Sequence, residues 1–147
     1  LNDEASRIVA GMAMTFEELL ARDKPALPLK KAASKALLHG HCHQKAFDAV
    51  RPIEEVLGWI DGLDVTPIES SCCGMAGAFG YGAESYDISM QMANENLLPA
   101  IRKADADDLL IADGTSCRCQ IKDGTNRTAK HVALVLDSYL EDTKPAN

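Results

Sequence analysis

Residues 69–82 read ESSCCGMAGAFGYG and place Cys72 and Cys73 side by side in a glycine-rich segment. Adjacent side chains in a loop point in different directions, so two neighbouring thiols can serve two metal ions or two edges of one cluster. Glycine lets the backbone come close to a bulky group and adopt positive φ. The segment is therefore a candidate for binding a metal or a cluster, provided that further ligands lie nearby in the fold.

The same local order, a strand followed by a cysteine-bearing loop and a helix, occurs three times along the chain. Short apolar runs predict strands at residues 34–40, 63–68 and 108–112. The loops after them span residues 39–44, 69–82 and 113–120. Helices are predicted from about residue 45, across residues 83–103 and across residues 131–140. Strands separated by helices pair in parallel through right-handed crossovers, so the sequence predicts an α/β fold, a short parallel sheet with helices on its faces.

The N-terminal part precedes these three units. Residues 4–22 have apolar side chains at helical spacing, with Glu17 among the polar positions, and predict one helix. An extended linker with two prolines follows at residues 23–29. We therefore expect an N-terminal helix and linker at residues 1–29 and a cysteine-rich domain at residues 30–147.

Other local patterns give further expectations. Phe47 is expected to face the core from the first helix after a cysteine loop, and Tyr86 from the long second one. Pro99 should kink or interrupt the last turn of that long helix. The Asp-Gly pair at residues 123–124 predicts a turn.

All five cysteines fall in the three loops. Every loop after a strand of a parallel sheet emerges at the same carboxyl edge, which is where open α/β sheets place their ligands. We therefore expect Cys42, Cys117 and at least one of Cys72 and Cys73 to lie within about 10 Å of each other, as thiolate ligation of one zinc ion or one iron–sulfur cluster requires. Cys119 is expected to be the outlier.

Three histidines surround the first cysteine of the set, at positions 39, 41 and 43. Imidazole suits a redox or metal site, so His41 and His43 join Cys119 as secondary candidate metal ligands. The alternative is that alternate histidines at a strand end point in and out, with one satisfied in the core. A corresponding alternative for the five thiols is burial as small apolar side chains. His131, at the start of the last helix, is expected to be structural.

Composition limits the classes of function. The chain has 147 residues, a net charge of −7 and no basic cluster, which disfavours nucleic acid and anionic membrane surfaces as partners. No apolar run reaches the roughly 20 residues of a transmembrane helix, and no signal peptide is visible. The odd cysteine count beside a good apolar core favours a reducing compartment, so we expect a cytoplasmic protein or one peripheral at the inner membrane. Because the sequence starts at Leu1 inside a predicted helix, we expect a C-terminal piece of a larger chain.

The cysteine pattern resembles a known family. Cys42 in GHCHQKAF, the pair in ESSCCGMAGAFGY and Cys117 in ADGTSCRCQI resemble the cysteine-rich CCG domain. That domain occurs in heterodisulfide reductase, in the iron–sulfur subunit of glycolate oxidase and at the C-terminus of FAD-linked oxidases similar to D-lactate or D-2-hydroxyglutarate dehydrogenases. The resemblance covers about residues 34–140, nearly the whole chain.

The resemblance implies electron transfer. FAD in an upstream part oxidises a 2-hydroxy acid, and clusters in ferredoxin-like and CCG domains pass the electrons to a quinone or another acceptor. The CCG domain of such relatives holds a [4Fe–4S] cluster of a noncubane type, whose ligands here would be Cys42, Cys72, Cys73 and Cys117. This sequence departs from the family pattern at the next ligand position, where Gln120 stands three residues after Cys117. That departure leaves open a simpler metal site.

Three hypotheses therefore remain open from the sequence. The first is an iron–sulfur electron-transfer domain of a FAD-linked dehydrogenase. The second is a zinc-stabilised domain that docks the catalytic parts without moving electrons. The third is a thiol redox module that uses Cys72 and Cys73 without any metal.

Overall fold

A three-stranded parallel sheet lies at the centre of the chain. The computed structural model describes residues 3–70 and 72–141, and within them the strand order is β2–β1–β3 with both neighbouring pairs parallel. The strands are β1 (Ser34–His39), β2 (Leu63–Pro67) and β3 (Leu109–Ala112). The predicted α/β class with a short parallel sheet is confirmed.

Helices connect the strands and cover the sheet. The helices of the described residues are α1 (Glu4–Met12), α2 (Phe16–Asp23), α3 (Cys42–Ala46), α4 (Arg51–Leu57), α5 (Tyr86–Glu95), α6 (Leu97–Lys103), α7 (Thr115–Thr125) and α8 (Val132–Tyr139). A 3₁₀ turn at Phe79–Tyr81 lies between β2 and α5. Because α3 and α7 begin three residues after the ends of β1 and β3, both start near the carboxyl edge of the sheet.

The strands divide the core into two apolar clusters, because successive side chains point to opposite faces. Leu110 and Ala112 of β3 pack in one cluster with buried side chains of α6 and α7. Ile111, between them, packs in the other cluster with Leu38 of β1 and with α4 and α8. Both faces of the sheet are therefore covered, as parallel sheets require.

Metal-free protein is expected to stay folded, since neither cluster depends on a bound ion. Ile53 and Leu57 of α4 and Leu97 of α6 are fully buried, and each buried side chain of this size contributes roughly 1.5–3 kcal/mol. Calorimetry of chelator-treated protein should show one cooperative thermal transition. Folding that appears only when metal is added, as in zinc fingers, would contradict this expectation.

The N-terminal helix is two helices, so the single helix predicted for residues 4–22 is wrong. Thr15 starts α2 by a capping box, in which its hydroxyl accepts the Glu18 N–H at 3.3 Å and the Glu18 carboxylate accepts the Thr15 N–H at 2.6 Å. Leu20 and Ala21 of α2 then pack against the cluster beside α4. The N-terminal cap of α2 therefore decides where the chain turns onto the core.

The N-terminal part also meets the C-terminal part of the described chain. Leu29 forms an antiparallel bridge with Leu140, and the N–H of Lys30 donates to the carbonyl of Tyr139 at 2.8 Å. The division into residues 1–29 and 30–147 stays a prediction. Along residues 3–70 and 72–141, no helix combines the length and the apolarity that crossing a membrane would take.

The segment that connects β1 to β2 differs from its prediction in two respects. Helix α3 starts at Cys42 itself and not near residue 45. Phe47, expected to face the core, is 82% exposed at the C-cap of this short helix. The next residue, Asp48, has a φ of 57°, so the chain bends away before α4 begins.

The long helix predicted for residues 83–103 is interrupted at Asn96, between α5 and α6. Pro99 is the third residue of α6, and its ring clashes with a helical carbonyl four residues earlier, at Glu95, where α5 ends. The break therefore falls about one turn before Pro99 instead of within the last turn. Tyr86, expected to face the core, is 51% exposed.

Cys117 and Cys119 lie in helix α7, so the loop predicted for residues 113–120 is wrong. The helix also includes the Asp-Gly pair that predicted a turn at residues 123–124. A Cβ on Gly124 would lie 2.5 Å from a methyl carbon of Leu98. Glycine here therefore allows α7 to approach α6 closely, and does not end the helix.

Glu17, predicted as a polar surface position, is 2% exposed. Burial raises the pKa of its carboxyl above the ordinary value of 4.5, and one carboxylate oxygen, Oε1, has no hydrogen-bond partner. The folded state therefore binds a proton here more tightly than the unfolded state does. The resulting stabilisation is fully present below the unfolded pKa and is lost as the pH rises through the folded pKa.

Replacing Glu17 by glutamine is therefore expected to stabilise metal-free protein at neutral pH by on the order of 1 kcal/mol, because glutamine has nearly the same shape but no charge to be buried. Urea unfolding of chelator-treated protein at a series of pH values measures the effect. Glu17→Gln should remove the fall in stability above pH 4.5. The matched control is Glu18→Gln, which keeps the capping hydrogen bond and should leave the fall in place. Equal pH profiles for the two variants would contradict the expectation.

Candidate metal centre

The carboxyl edge of the sheet gathers cysteines from all three units. Cys42 starts α3 after β1, Cys72 and Cys73 follow β2, and Cys117 lies in the first turn of α7 after β3. The Cys117 thiol donates a hydrogen bond to the sulfur of Cys73 across 3.3 Å, and both side chains are buried. The parallel topology therefore brings thiols 44 residues apart in sequence into direct contact.

The other two thiols of this edge border one cavity. Cys42 and Cys72 line a cavity of about 500 Å³ together with Cys73 and Ser116. Cys72 is close enough to Cys42 and Cys73 for their charges to act on it. Burial raises the pKa of the Cys72 thiol, and the N–H of Gly74, which donates to its sulfur at 3.3 Å, opposes that change.

His39 completes the buried part of the site. It ends β1 at 1% exposure, and one of its ring nitrogens lies within 4.8 Å of the sulfurs of Cys73 and Cys117. Nδ1 is 2.9 Å from the hydroxyl oxygen of Ser70, whereas Nε2 is buried without a hydrogen-bond partner. An orphaned imidazole nitrogen beside two thiols is the donor that a metal ion would satisfy.

Ser70, which contacts Nδ1 of His39, has further partners of its own. The Ser70 hydroxyl donates to the carbonyl of Ile68 at 3.5 Å, and the ammonium of Lys45 donates to the Ser70 carbonyl and lies 3.4 Å from its hydroxyl oxygen. Nδ1 of His39 is thus engaged with Ser70, and Nε2 is the ring nitrogen without a hydrogen-bond partner. Neutral imidazole is the form of histidine that ligates metals.

The hydrogen bond between Cys73 and Cys117 shifts the pKa values of the two thiols in opposite directions. The hydrogen bond from Cys117 lowers the pKa of Cys73 despite its burial. The same hydrogen bond, with burial acting in the same direction, raises the pKa of Cys117. The pair therefore loses a first proton readily and resists losing the second. A metal cation relieves that resistance, because ligand thiols bind as thiolates and release their protons.

Backbone geometry beside the thiols depends on glycine at two positions. Gly74 has a φ of 89°, and a Cβ on it would lie 2.2 Å from the carbonyl oxygen of Ser89. A Cβ on Gly114, at the N-cap of α7, would lie 2.5 Å from the ring of His41 and 2.9 Å from the sulfur of Cys117. These glycines let the elements that carry the thiols come together.

His41 and His43 have roles in the local fold. Nδ1 of His41 caps α3 by accepting the N–H of His43 at 3.2 Å, and the His41 N–H is accepted by the Gln44 side chain at 3.0 Å. The two rings pack edge to face with centroids 5.1 Å apart. Burial, followed by the charge of His43, lowers the pKa of His41. Both rings line the cavity, and their ligation of a metal stays a prediction.

Cys119 and Gln120, both in α7, have partners outside the group of Cys73, Cys117 and His39. Cys119 faces the hydroxyl of Tyr81, and this contact raises the pKa of Tyr81. Gln120 is buried, and its side-chain amide donates to the hydroxyl of Ser89 at 3.0 Å and to the Ser89 carbonyl at 3.3 Å. Gln120, which stands where the family pattern has its next ligand, therefore anchors α7 to α5. Cys119 lies beside Tyr81.

All three histidines around Cys42 suit a metal site on sequence grounds, and His39, not singled out there, is the one whose ring nitrogen lies with the buried thiols. The available signal was its position, since a polar residue at the carboxyl end of a buried middle strand lies at the edge where the cysteines converge. The alternative was that one histidine is satisfied in the core. For His39 this holds for Nδ1, which is hydrogen-bonded, but not for Nε2, which is not.

The donor set fits a thiophilic metal or cluster. Two buried thiols and a ring nitrogen of His39 lie within 4.8 Å of one another, and two further thiols border the adjoining cavity. Thiolate and imidazole are the ligands of iron–sulfur centres and of zinc. A structure with a satisfied apolar core would not leave Nε2 of His39 without a partner.

Two curated dehydrogenase proteins are similar to this chain. One is a subunit of the anaerobic glycerol-3-phosphate dehydrogenase of Escherichia coli strain K12, which is 34% identical over 114 residues, or 78% of this chain and 28% of that protein. The other is the D-2-hydroxyglutarate dehydrogenase of Pseudomonas putida, which is 29% identical over 126 residues, or 84% of this chain and 12% of that protein. The chain therefore spans between an eighth and somewhat over a quarter of these relatives.

These relatives confirm the resemblance that the cysteine pattern indicated, to CCG-domain proteins of FAD-linked dehydrogenases. No family model matches the chain. No solved structure matches it either.

Proposed function

We propose that this chain, a relative of dehydrogenase proteins with CCG domains, is an electron-transfer module that holds an iron–sulfur cluster at the carboxyl edge of its sheet. The observation that carries the proposal is the contact of Cys73 and Cys117 beside the ring of His39, whose Nε2 has no hydrogen-bond partner. Cys42 and Cys72 border the adjoining cavity and supply two further thiolates. An iron–sulfur cluster held by these side chains would supply reversible one-electron transfer.

The protein side chains have separate tasks in this proposal. Cys73 and Cys117 bind from the buried side, where the hydrogen bond between their sulfurs already holds the two side chains together. Ser70 orients the ring of His39 through Nδ1, and Nε2 has no hydrogen-bond partner. Lys45 holds Ser70 in place from the solvent side.

We extend the proposal to the type of cluster, a noncubane [4Fe–4S] cluster. A noncubane [4Fe–4S] cluster needs more ligands than the four cysteines that the family pattern assigns here, and Gln120 is engaged with Ser89. His39 is the buried donor that supplies the additional ligand. Closed zinc coordination by three or four of the same residues is the second candidate, since one nitrogen and several sulfurs also suit tetrahedral zinc.

The substrate belongs to the rest of the holoenzyme. One relative is named for glycerol-3-phosphate and the other for D-2-hydroxyglutarate, yet this chain matches a segment of both. A segment common to different substrates suits electron handling better than substrate recognition. We assign substrate oxidation to FAD in an upstream part of the chain or complex. Electrons then pass through ferredoxin-like domains to this module and on to a quinone or another acceptor.

The chain alone is expected to oxidise no 2-hydroxy acid and no glycerol-3-phosphate. Hydride chemistry belongs to the flavin, which this module does not supply. Dye-reduction assays with D-lactate, glycolate, D-2-hydroxyglutarate and glycerol-3-phosphate measure this, with a complete FAD-linked dehydrogenase as the positive control. Turnover of any of them by the chain alone, at the rate of the positive control, would contradict the assignment.

Anaerobic reconstitution tests the proposal. The protein is incubated with ferrous iron and sulfide, or with zinc alone, and then desalted and analysed for metal and acid-labile sulfide. Iron and sulfide in comparable amounts support the cluster. Tight zinc with exclusion of iron supports a structural site. Reversible oxidation of Cys72 and Cys73 in protein that binds neither metal supports the thiol module.

A further inference from the structure

A second group of metal-ligating side chains lies apart from the cysteines. Ligand atoms of Glu17, Asp113 and His131 all lie within 4.8 Å of one another. They come from the first turn of α2, the carboxyl end of β3 and the N-cap of α8. Nδ1 of His131 is 3.7 Å from Oδ1 of Asp113. Three distant parts of the chain therefore direct two carboxylates and one imidazole to one place.

The buried member of this group is unsatisfied. Glu17 is 2% exposed, and its Oε1 has no hydrogen-bond partner. The negative charge of Asp113 acts on Glu17 in the same direction as burial. Two carboxylates facing each other with an orphaned buried oxygen are costly unless a proton or a cation lies between them.

Asp113 is held rigidly enough to serve as a ligand. Its Oδ1 accepts the N–H of Val132 at 3.0 Å, and its Oδ2 accepts the side-chain amide of Gln44 at 3.0 Å. Each carboxylate oxygen has two lone pairs, so both oxygens keep one for a metal. His131 caps α8 by accepting the Ala133 N–H on Nδ1 at 3.1 Å, and the same nitrogen, 3.7 Å from Oδ1 of Asp113, carries the lone pair that a metal ion would take in place of that hydrogen bond.

We infer that Glu17, Asp113 and His131 form a binding site for a divalent transition-metal ion of the manganese-to-zinc series. Two carboxylates and one imidazole suit these ions, whereas thiolates select softer partners. The ion ties α2, from the N-terminal part of the chain, to the end of β3 and the start of α8. Because Gln44 lies in the helix that begins with Cys42, the same ion steadies one wall of the cysteine cavity. This site does not depend on the proposed function.

Manganese is the probe that separates this site from the cysteines, because it favours oxygen and nitrogen ligands over sulfur. The full chain, treated with a chelator, is titrated with Mn²⁺, and free Mn²⁺ is counted by its EPR signal. We expect one ion to bind. Glu17→Gln should weaken binding by at least about tenfold, as losses around metal sites do.

The matched control is Glu18→Gln, the same chemical change one residue along, which keeps the capping box of α2. It should bind Mn²⁺ as the unchanged protein does. Mn²⁺ should also raise the thermal transition of the unchanged protein and of Glu18→Gln, and leave Glu17→Gln where it was. Since removing a buried charge stabilises the fold, Glu17→Gln will not fail for want of folding.

Equal Mn²⁺ affinity in Glu17→Gln and Glu18→Gln would overturn the inference. The inference would also be overturned if the unchanged protein showed saturable binding of neither Mn²⁺ nor Zn²⁺ at Glu17, Asp113 and His131. The Zn²⁺ titration is repeated with Glu17→Gln, in which the cysteines remain intact. The difference in bound Zn²⁺ between this variant and the unchanged protein gives the number of ions held by Glu17, Asp113 and His131.

Discussion

Replacing Cys73 by serine is expected to reduce the iron incorporated by anaerobic reconstitution by more than about tenfold. Cys73 lies at the centre of the buried group, in contact with Cys117 and near His39. A serine hydroxyl does not ionise as a thiol does and does not replace a thiolate ligand. Iron and acid-labile sulfide per chain, with the EPR spectrum of the reduced protein, measure the loss.

The matched control is Cys119→Ser, which removes a thiol that faces Tyr81. This variant should incorporate nearly as much iron as the unchanged protein. Cys73→Ala, which adds no buried hydroxyl, distinguishes loss of a ligand from loss of folding, and both Cys73 variants should keep a cooperative thermal transition. Full iron uptake by either Cys73 variant would refute the assignment of Cys73 as a ligand.

The second large effect is expected at Gly74, directly after the paired cysteines. Alanine at this position requires a φ of 89° and places its Cβ 2.2 Å from the carbonyl oxygen of Ser89, which is backbone and cannot rotate away. We expect the free energy of unfolding to fall by about 3 kcal/mol or more, combining backbone strain with the displacement of α5. Urea denaturation of metal-free protein measures the change.

Gly77→Ala is the control for strain alone. Gly77 has a φ of 69°, but a Cβ there meets no atom within 4 Å. Left-handed backbone costs a non-glycine residue roughly 1–2 kcal/mol, so the loss should be clearly smaller. Equal losses for the two variants would show that contact with Ser89 has no part in fixing the cysteine segment.

The parallel sheet and the meeting of its loops could be predicted because they follow from order along the chain. Apolar runs before Cys42, Cys72 and Cys117, with helices between them, leave parallel pairing as the simple topology. Parallel pairing then places the ends of all three strands at one edge. The contact of Cys73 with Cys117 is a consequence of that topology, although the distance of 3.3 Å is not.

Helix α7 could not be predicted, because its sequence lacks the signals of a helix. TSCRCQIKDGT is mostly polar, has no N-capping side chain and includes an Asp-Gly pair that favours turns. Its helical form depends on packing across the molecule. Ile121 and Cys117 are buried in the core beside α6, and Gln120 is bonded to Ser89 of α5. Tertiary contacts override local preference here.

The two orphaned atoms could not be predicted for a related reason. The sequence puts Glu17 at a polar position of an amphipathic helix, and only the docking of α2 near Asp113 buries it. The sequence also shows that a histidine ends β1. It does not show that Ser70 engages Nδ1 of His39 while Nε2 is buried without a partner. Unsatisfied buried groups arise from the packing of elements and not from any one of them.

An EPR-monitored redox titration of the anaerobically reconstituted protein tests the central claim most directly. If the chain is an electron-transfer module, an iron–sulfur signal should appear and disappear reversibly as the potential is lowered and raised, with iron and sulfide retained throughout. Nitrogen coupling in the pulsed EPR spectrum should be lost in His39→Ala and kept in His43→Ala. A chain that holds only zinc, or iron that shows no reversible one-electron change, would contradict the account.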